Sequence, residues 1–109
     1  KDGLPVGALG IQSSGFYIDG EGSHAGLRFG SHIVTRYKGV DDDAQVDIGE
    51  SGIRFKDLHL SGIIHLAGWD IKESNGDIYF AVGGVNKMKL DADGNLQVVG
   101  SIESNATIS

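Results

Sequence analysis

The chain has no cysteine, one proline, one methionine, and only 9 lysines and arginines against 15 aspartates and glutamates. Without cysteine there are no disulfides and no thiolate metal sites, and the redox compartment is left open. The shortage of cations leaves a net charge of −6, which repels phosphate backbones and anionic bilayer surfaces, so no nucleic-acid partner is expected. No apolar run approaches the roughly 20 residues that a membrane-spanning helix needs, and no membrane insertion is expected. No cationic-then-apolar leader opens the chain. It begins with Lys1 rather than Met and reads as a segment of something longer.

Long glycine-free stretches are also missing. Glycine occupies 18 of 109 positions, and between Gly3 and Gly100 no stretch without it exceeds nine residues. A helix of ordinary length would need an interior glycine, at a cost of about 1 kcal/mol each. The 11 Asp and 4 Glu residues point the same way, because Asp prefers caps and turns to helix interiors.

What is present is β-forming. Ile (11) and Val (8) outnumber the 8 aromatics, a content incompatible with disorder. Period-2 patterns place Phe16 and Ile18 on one strand face, and pair Leu27 with Phe29, Ile53 with Phe55, Leu58 with Leu60, and Met88 with Leu90 around a polar residue. Ile78–Val82 is continuously apolar, as in a strand covered on both faces. Asn75-Gly76 and Asp93-Gly94 have the chemistry of tight hairpin turns, and Asp19-Gly20 is a further candidate. These features predict an all-β domain of roughly seven to nine short antiparallel strands at spacings of about ten residues. A single domain, 1–109, is expected, with a sub-division near 39–44 at its most polar point. So short a chain buries only about two-thirds of its unfolded surface, so part of its stability is expected from further copies of itself.

Signals for chemistry are sparse. Asp41-Asp42-Asp43 reads as a solvated loop, because three adjacent side chains of an extended chain cannot converge on one ion. Asp91–Asn95 opens like an EF-hand loop but lacks its later Gly and terminal Glu. The four histidines form no metal-binding or catalytic spacing, and Gly20-Glu21-Gly22 and Gly83-Gly84 are not phosphate loops, since no helix follows them. No catalytic residues, cofactor or metal are expected. The candidate carbohydrate contacts are Tyr37, flanked by Arg36 and Lys38, the loop Asp41, Asp42 and Asp43, and Trp69 beside Asp70. An aromatic can stack on a sugar ring while carboxylates accept its hydroxyl protons. Trp69 has a competing role as the largest core side chain of a small domain.

Three phrases carry a resemblance. Val46–Gly62 (VDIGESGIRFKDLHLSG) resembles a phrase common in bacteriophage tail fibres and tailspikes. Ser13–Gly30 (SSGFYIDGEGSHAGLRFG) looks like the segment that often precedes it. Asn75–Ile102 (NGDIYFAVGGVNKMKLDADGNLQVVGSI) is similar to the last strands before the C-terminal intramolecular chaperone of such fibres. Together they cover 63 of the 109 residues. In fibres with an endosialidase-type chaperone, self-cleavage follows a serine, and a chain ending at Ser109 resembles the mature product of that cut. The resemblance implies a partly intertwined parallel homotrimer at the extracellular tip of a virion's tail fibre, joined N-terminally to the rest of the fibre. Its implied function is non-catalytic receptor binding to a bacterial surface polysaccharide, lipopolysaccharide O-antigen above all, for host adsorption. The alternatives are a purely structural fibre segment without a ligand, and a depolymerase tailspike whose carboxylates pair between subunits.

Overall fold

The computed structural model describes residues 7–12 and 15–103. The chain divides into two compact units, Lys1–Lys56 and Asp57–Ser109. Each carries one five-stranded antiparallel sheet with strands in sequence order, and no helix occurs among the described residues. The all-β class expected from the glycine spacing is the class observed. The acidic stretch at 41–43 lies inside the first unit.

The first sheet runs β1 (Gly7–Gln12), β2 (Gly15–Gly20), β3 (Ala25–Phe29), β4 (Ile33–Tyr37) and β5 (Val40–Asp41). Its register opposes Phe16 to Phe29, Ile18 to Leu27 and Phe29 to Ile33. Alternation therefore gathers the large apolar side chains on one face, where the Phe16 and Phe29 rings stack with centroids 6.4 Å apart. The same register puts Tyr17, Asp19, Arg28, Arg36 and Asp41 on the opposite face. Lys38-Gly39 closes the β4–β5 hairpin with φ of 55° and 80°, the left-handed pair that matches strand twist.

The second sheet runs β6 (Ile64–Leu66), β7 (Trp69–Ser74), β8 (Asp77–Val82), β9 (Val85–Leu90) and β10 (Leu96–Val98). Ile64 opposes Ile71, which opposes Phe80, which opposes Met88, which opposes Val98. One apolar row thus crosses all five strands. The other face carries His65, Asp70, Lys72, Tyr79, Lys89 and Gln97. Asn75-Gly76 forms the expected hairpin turn, with φ of 52° and 88°. Between Phe80 and Ala81 the register shifts: Met88 faces Phe80 and Asn86 faces Ala81, leaving Lys87 as the extra residue of a bulge.

Within each unit, no second layer of strands or helix covers the apolar face of the sheet among the described residues. Glycine aside, only Ala81 and Arg36 are buried among the described residues. Ile11, on the first apolar face, is 82% exposed. Residues 42–63 add to this surface. They contain no strand, only a bridge between Glu50 and Ile53 with reciprocal 2.9 Å hydrogen bonds, and Ile48, Phe55 and Leu58 along them are all more than 70% exposed.

Several local expectations are corrected. The period-2 patterns around Arg54 and His59 are not strands in the single chain, because no neighbouring strand accepts their backbone groups. Asp19-Gly20 ends β2 rather than turning; the turn is Glu21–His24, closed by a 2.9 Å bond from His24 N–H to the Glu21 carbonyl. Asp93-Gly94 is not a two-residue turn but part of a longer loop organised by Asp91, whose carboxylate accepts from the Asp93 and Asn95 amides at 3.0 and 2.8 Å. Ile78–Val82 is central in its sheet, yet Ile78 and Phe80 face one side and Tyr79 and Ala81 the other. The described residues form ten strands rather than seven to nine, the excess coming from strands of two or three residues.

Candidate functional site

The most constructed feature of the first unit is the polar face around Arg36, which is 1% exposed. Its Nε and Nη2 donate to the two carboxylate oxygens of Asp19 at 2.6 and 3.0 Å. Nη1 donates to Gln12 Oε1 at 2.7 Å and to Asp41 Oδ1 at 3.2 Å, and Nη2 also donates to the Gly39 carbonyl at 2.6 Å. A guanidinium has five N–H donors, and all are used. The Tyr17 ring lies 4.0 Å from the guanidinium carbon, a cation–π distance. Glycine makes this layering possible: a Cβ on Gly10 would meet the Tyr17 phenol, and one on Gly26 would meet the Asp19 carboxylate.

Asp41 is shared. Arg28 donates to it from Nε at 3.0 Å and pairs through Nη2 at 2.9 Å. The Arg28 hydrogen bonds, followed by those of Arg36, hold the Asp41 carboxyl below its usual range, while the hydrogen bonds that Arg36 donates to Asp19 lead in raising Arg36 above its own. Five segments are tied by one cation: β1 through Gln12, β2 through Asp19, β4 through Arg36, the turn through Gly39 and β5 through Asp41. All five donors of Arg36 are occupied, so this guanidinium fastens the sheet.

Of the sequence-predicted contacts, Asp41 is therefore engaged inside the sheet's own ion pairs. Asp42 closes the strand end: its amide donates to the Thr35 carbonyl at 3.2 Å, its carbonyl accepts from Thr35 Oγ1 at 2.9 Å, and its carboxylate accepts from the Asp43 amide at 2.8 Å. Asp43 is exposed. Tyr37 opposes Val40 while Arg36 opposes Asp41, so Tyr37 and Asp41 project from opposite faces. Tyr37 instead meets the following chain. With Gln45, Asp47, Glu50 and Ser51 it lines an open groove of about 320 Å³, and Lys38 Nζ sits 5.4 Å from its ring centroid. An aromatic edge, an amide, a hydroxyl and two carboxylates are a hydroxyl-binding set.

Trp69 belongs to the second unit and is its first β7 residue, directly after the Ala67-Gly68 turn. It opposes Leu66 and shares the apolar face with Ile71, 47% exposed. That placement surrounds it with aliphatic rather than hydrogen-bonding neighbours. Asp70 points the other way, and its carboxylate Oδ1 accepts from His65 Nδ1 at 2.7 Å. Ser109 lies outside the described residues.

The sequence reading missed Arg36 and Tyr17 as a pair. The signal was available in outline: Tyr17 and Asp19 alternate with apolar Phe16 and Ile18, and Gly26 sits where a cross-strand side chain would otherwise block them. Among the described residues, no three His, Cys, Asp or Glu side chains converge as a metal site. No family model, curated protein or solved structure matches this chain.

Proposed function

We propose that the chain is the receptor-binding segment of a bacteriophage tail-fibre tip, a homotrimer that recognises a bacterial surface polysaccharide without cleaving it. The observation that carries the reading is that each unit's sheet leaves large apolar side chains of one face exposed, with no second layer over it within the unit among the described residues. Monomeric soluble proteins rarely leave contiguous apolar patches of more than a few hundred Å², and each large aliphatic or aromatic side chain gains about 1.5–3 kcal/mol on full burial. Copies of the same chain are the occupant that closed symmetry supplies. Residues 46–62, the phrase most like those of tail fibres, fall within the stretch that forms no strand alone, as expected of a segment that pairs between chains.

The ligand reading rests on the Tyr37 groove. Its polar lining suits neutral hydroxylated rings, and repetition on a trimer turns weak single sites into avid binding through effective concentration. Tyr37 and Trp69 both lie on the apolar side of their sheets; Trp69 has aliphatic neighbours and contributes to the assembly's core in this scheme, whereas Tyr37, at the end of β4, faces the polar lining of Gln45, Asp47, Glu50 and Ser51.

Light scattering tests the assembly: a mass of about three times the 11.5 kDa chain is expected, and a folded monomer overturns it. An array of bacterial lipopolysaccharides and capsules tests the ligand. Tyr37→Ala is expected to abolish binding with the trimer mass unchanged. A trimer that binds no glycan would instead be a structural segment, and release of reducing sugar would make it a depolymerase.

A further inference from the structure

The polar face of the second sheet is built unlike that of the first. Lys72 opposes Tyr79, Tyr79 opposes Lys89, and Lys89 opposes Gln97. Directly opposed residues on one face lie within side-chain reach of each other, so a cation, an aromatic, a second cation and an amide form one continuous row. The unit from Asp57 onward has three lysines and no arginine against seven carboxylates. All three lysines nevertheless fall within β7 and β9, Lys87 being the residue extruded by the bulge. Bulges re-aim side chains and recur beside functional sites.

These cations are weakly committed. Lys72 and Lys87 form no ion pair among the described residues, and Lys89 Nζ is 3.9 Å from Asp77 Oδ2. The other carboxylate on this face, Asp70, is taken up by His65 at 2.7 Å. Tyr79 stands between two open grooves. One, of about 440 Å³, is lined by Asn86, Lys87, Lys89 and Gln97; the other, of about 390 Å³, by Gly62, Lys72, Glu73, Ser74 and Asn86, with the Glu73 carboxylate accepting from the Gly76 amide at 2.7 Å. Lys72 and Lys89 are two strands apart, roughly 10 Å at ordinary strand spacing, the length of a disaccharide.

We infer that the Lys72–Tyr79–Lys89–Gln97 row is a second carbohydrate subsite, selective for an acidic polysaccharide whose uronate rings pack on Tyr79 with carboxylates at the two lysines. This rests on the polysaccharide-binding reading above and adds the charge class of the ligand. A lysine is a flexible point charge suited to a carboxylate in several poses, and the apolar edge of Tyr with flanking amides suits the ring. The first sheet has no equivalent, since its arginines are consumed by Asp19 and Asp41.

The test is titration of the full 109-residue chain with tetragalacturonate and, separately, with neutral maltotetraose, read by amide chemical shifts. Tetragalacturonate is expected to shift the amides of β7–β9 around Lys72, Tyr79 and Lys89. The double variant Lys72→Gln/Lys89→Gln is expected to weaken it at least tenfold, with native mass and circular dichroism unchanged, and added salt is expected to weaken the wild type. No binding of tetragalacturonate, equal binding by the double variant, or equal affinity for maltotetraose would overturn the subsite. The glycan array separates the two readings. A chain that binds bacterial polysaccharides equally well with and without the two lysines keeps its receptor role and loses this subsite. A chain that binds tetragalacturonate but no bacterial polysaccharide loses the receptor role instead.

Discussion

The two sheets share a strand order and an uncovered apolar face, but they treat their charges in opposite ways. In the first, Arg36 spends five donors on Asp19, Gln12, Asp41 and Gly39 under the Tyr17 ring. In the second, the nearest lysine–carboxylate pair is 3.9 Å apart, and the other pair is between exposed His65 and Asp70. A charged group that is fully hydrogen-bonded serves the fold and is lost to ligands. A charged group left without a partner contributes little to the fold and stays free to bind. The first polar face is a fastening, and the second is a surface for use.

The shared part of the comparison is the easiest to break and carries the largest effect. A carboxylate placed in either apolar face, by Phe29→Asp or Phe80→Asp, cannot be buried without a partner. Each is expected to reduce the light-scattering mass from the assembly to single chains. A variant that keeps the full mass would show that its face is not covered by other copies.

The contrast between the polar faces gives the next largest effect. Arg36→Ala leaves Asp19 without its cation and is expected to destabilise the first sheet by about 3 kcal/mol, the low end for breaking a buried pair, because one layer of side chains rather than a core covers it. Hydrogen exchange would show faster exchange across β1–β5 and little change across β7–β9. Equal loss in both sheets would remove the distinction. Lys72→Gln, at a half-buried lysine with no ion-pair partner among the described residues, is expected within about 0.5 kcal/mol of the wild type by denaturant titration.

The turns sharpen the comparison at about 1 kcal/mol. Gly76 has φ of 88°, where any side chain is strained. Gly76→Ala should therefore loosen the β7–β8 hairpin in exchange measurements and leave the first sheet untouched.

Acid gives the smallest separation. Asp41 is held below its ordinary value by Arg28 and Arg36, and Asp91 by the amides and side chain of Asn95 and the Asp93 amide. A depressed folded value means that the stabilisation is complete above the unfolded carboxylate range, near pH 4, and is lost as pH falls through the folded value. Both sheets should weaken on acidification below about pH 4. Asp41→Asn should remove that response from the first sheet alone, as followed by pH-dependent amide exchange.

The β class, the Asn75-Gly76 hairpin and the strands at Phe16–Ile18, Leu27–Phe29, Ile78–Val82 and Met88–Leu90 were legible in the sequence, because alternation and positive-φ turn residues act within a few positions of each other. The same patterns at Ile53–Phe55 and Leu58–Leu60 did not yield strands, since alternation records a buried face but not which chain supplies the hydrogen-bonding neighbour. Tyr37, Asp41 and Trp69 were selected by residue type, and type does not say which face a strand presents. The register set that: one residue separates Tyr37 from Arg36, and they face opposite sides of the sheet.

Local composition by itself determined that this chain forms short antiparallel strands, that it is acidic, and that its aliphatic residues lie in alternating positions. Only the tertiary structure decided that Arg36 would be buried under Tyr17 while Lys72 finds no ion-pair partner among the described residues and Lys89 only one at 3.9 Å. That outcome depends on cross-strand register, and register brings together residues such as Asp19 and Arg36 that are remote in sequence. Gly10 and Gly26 leave the space in which those side chains can lie flat.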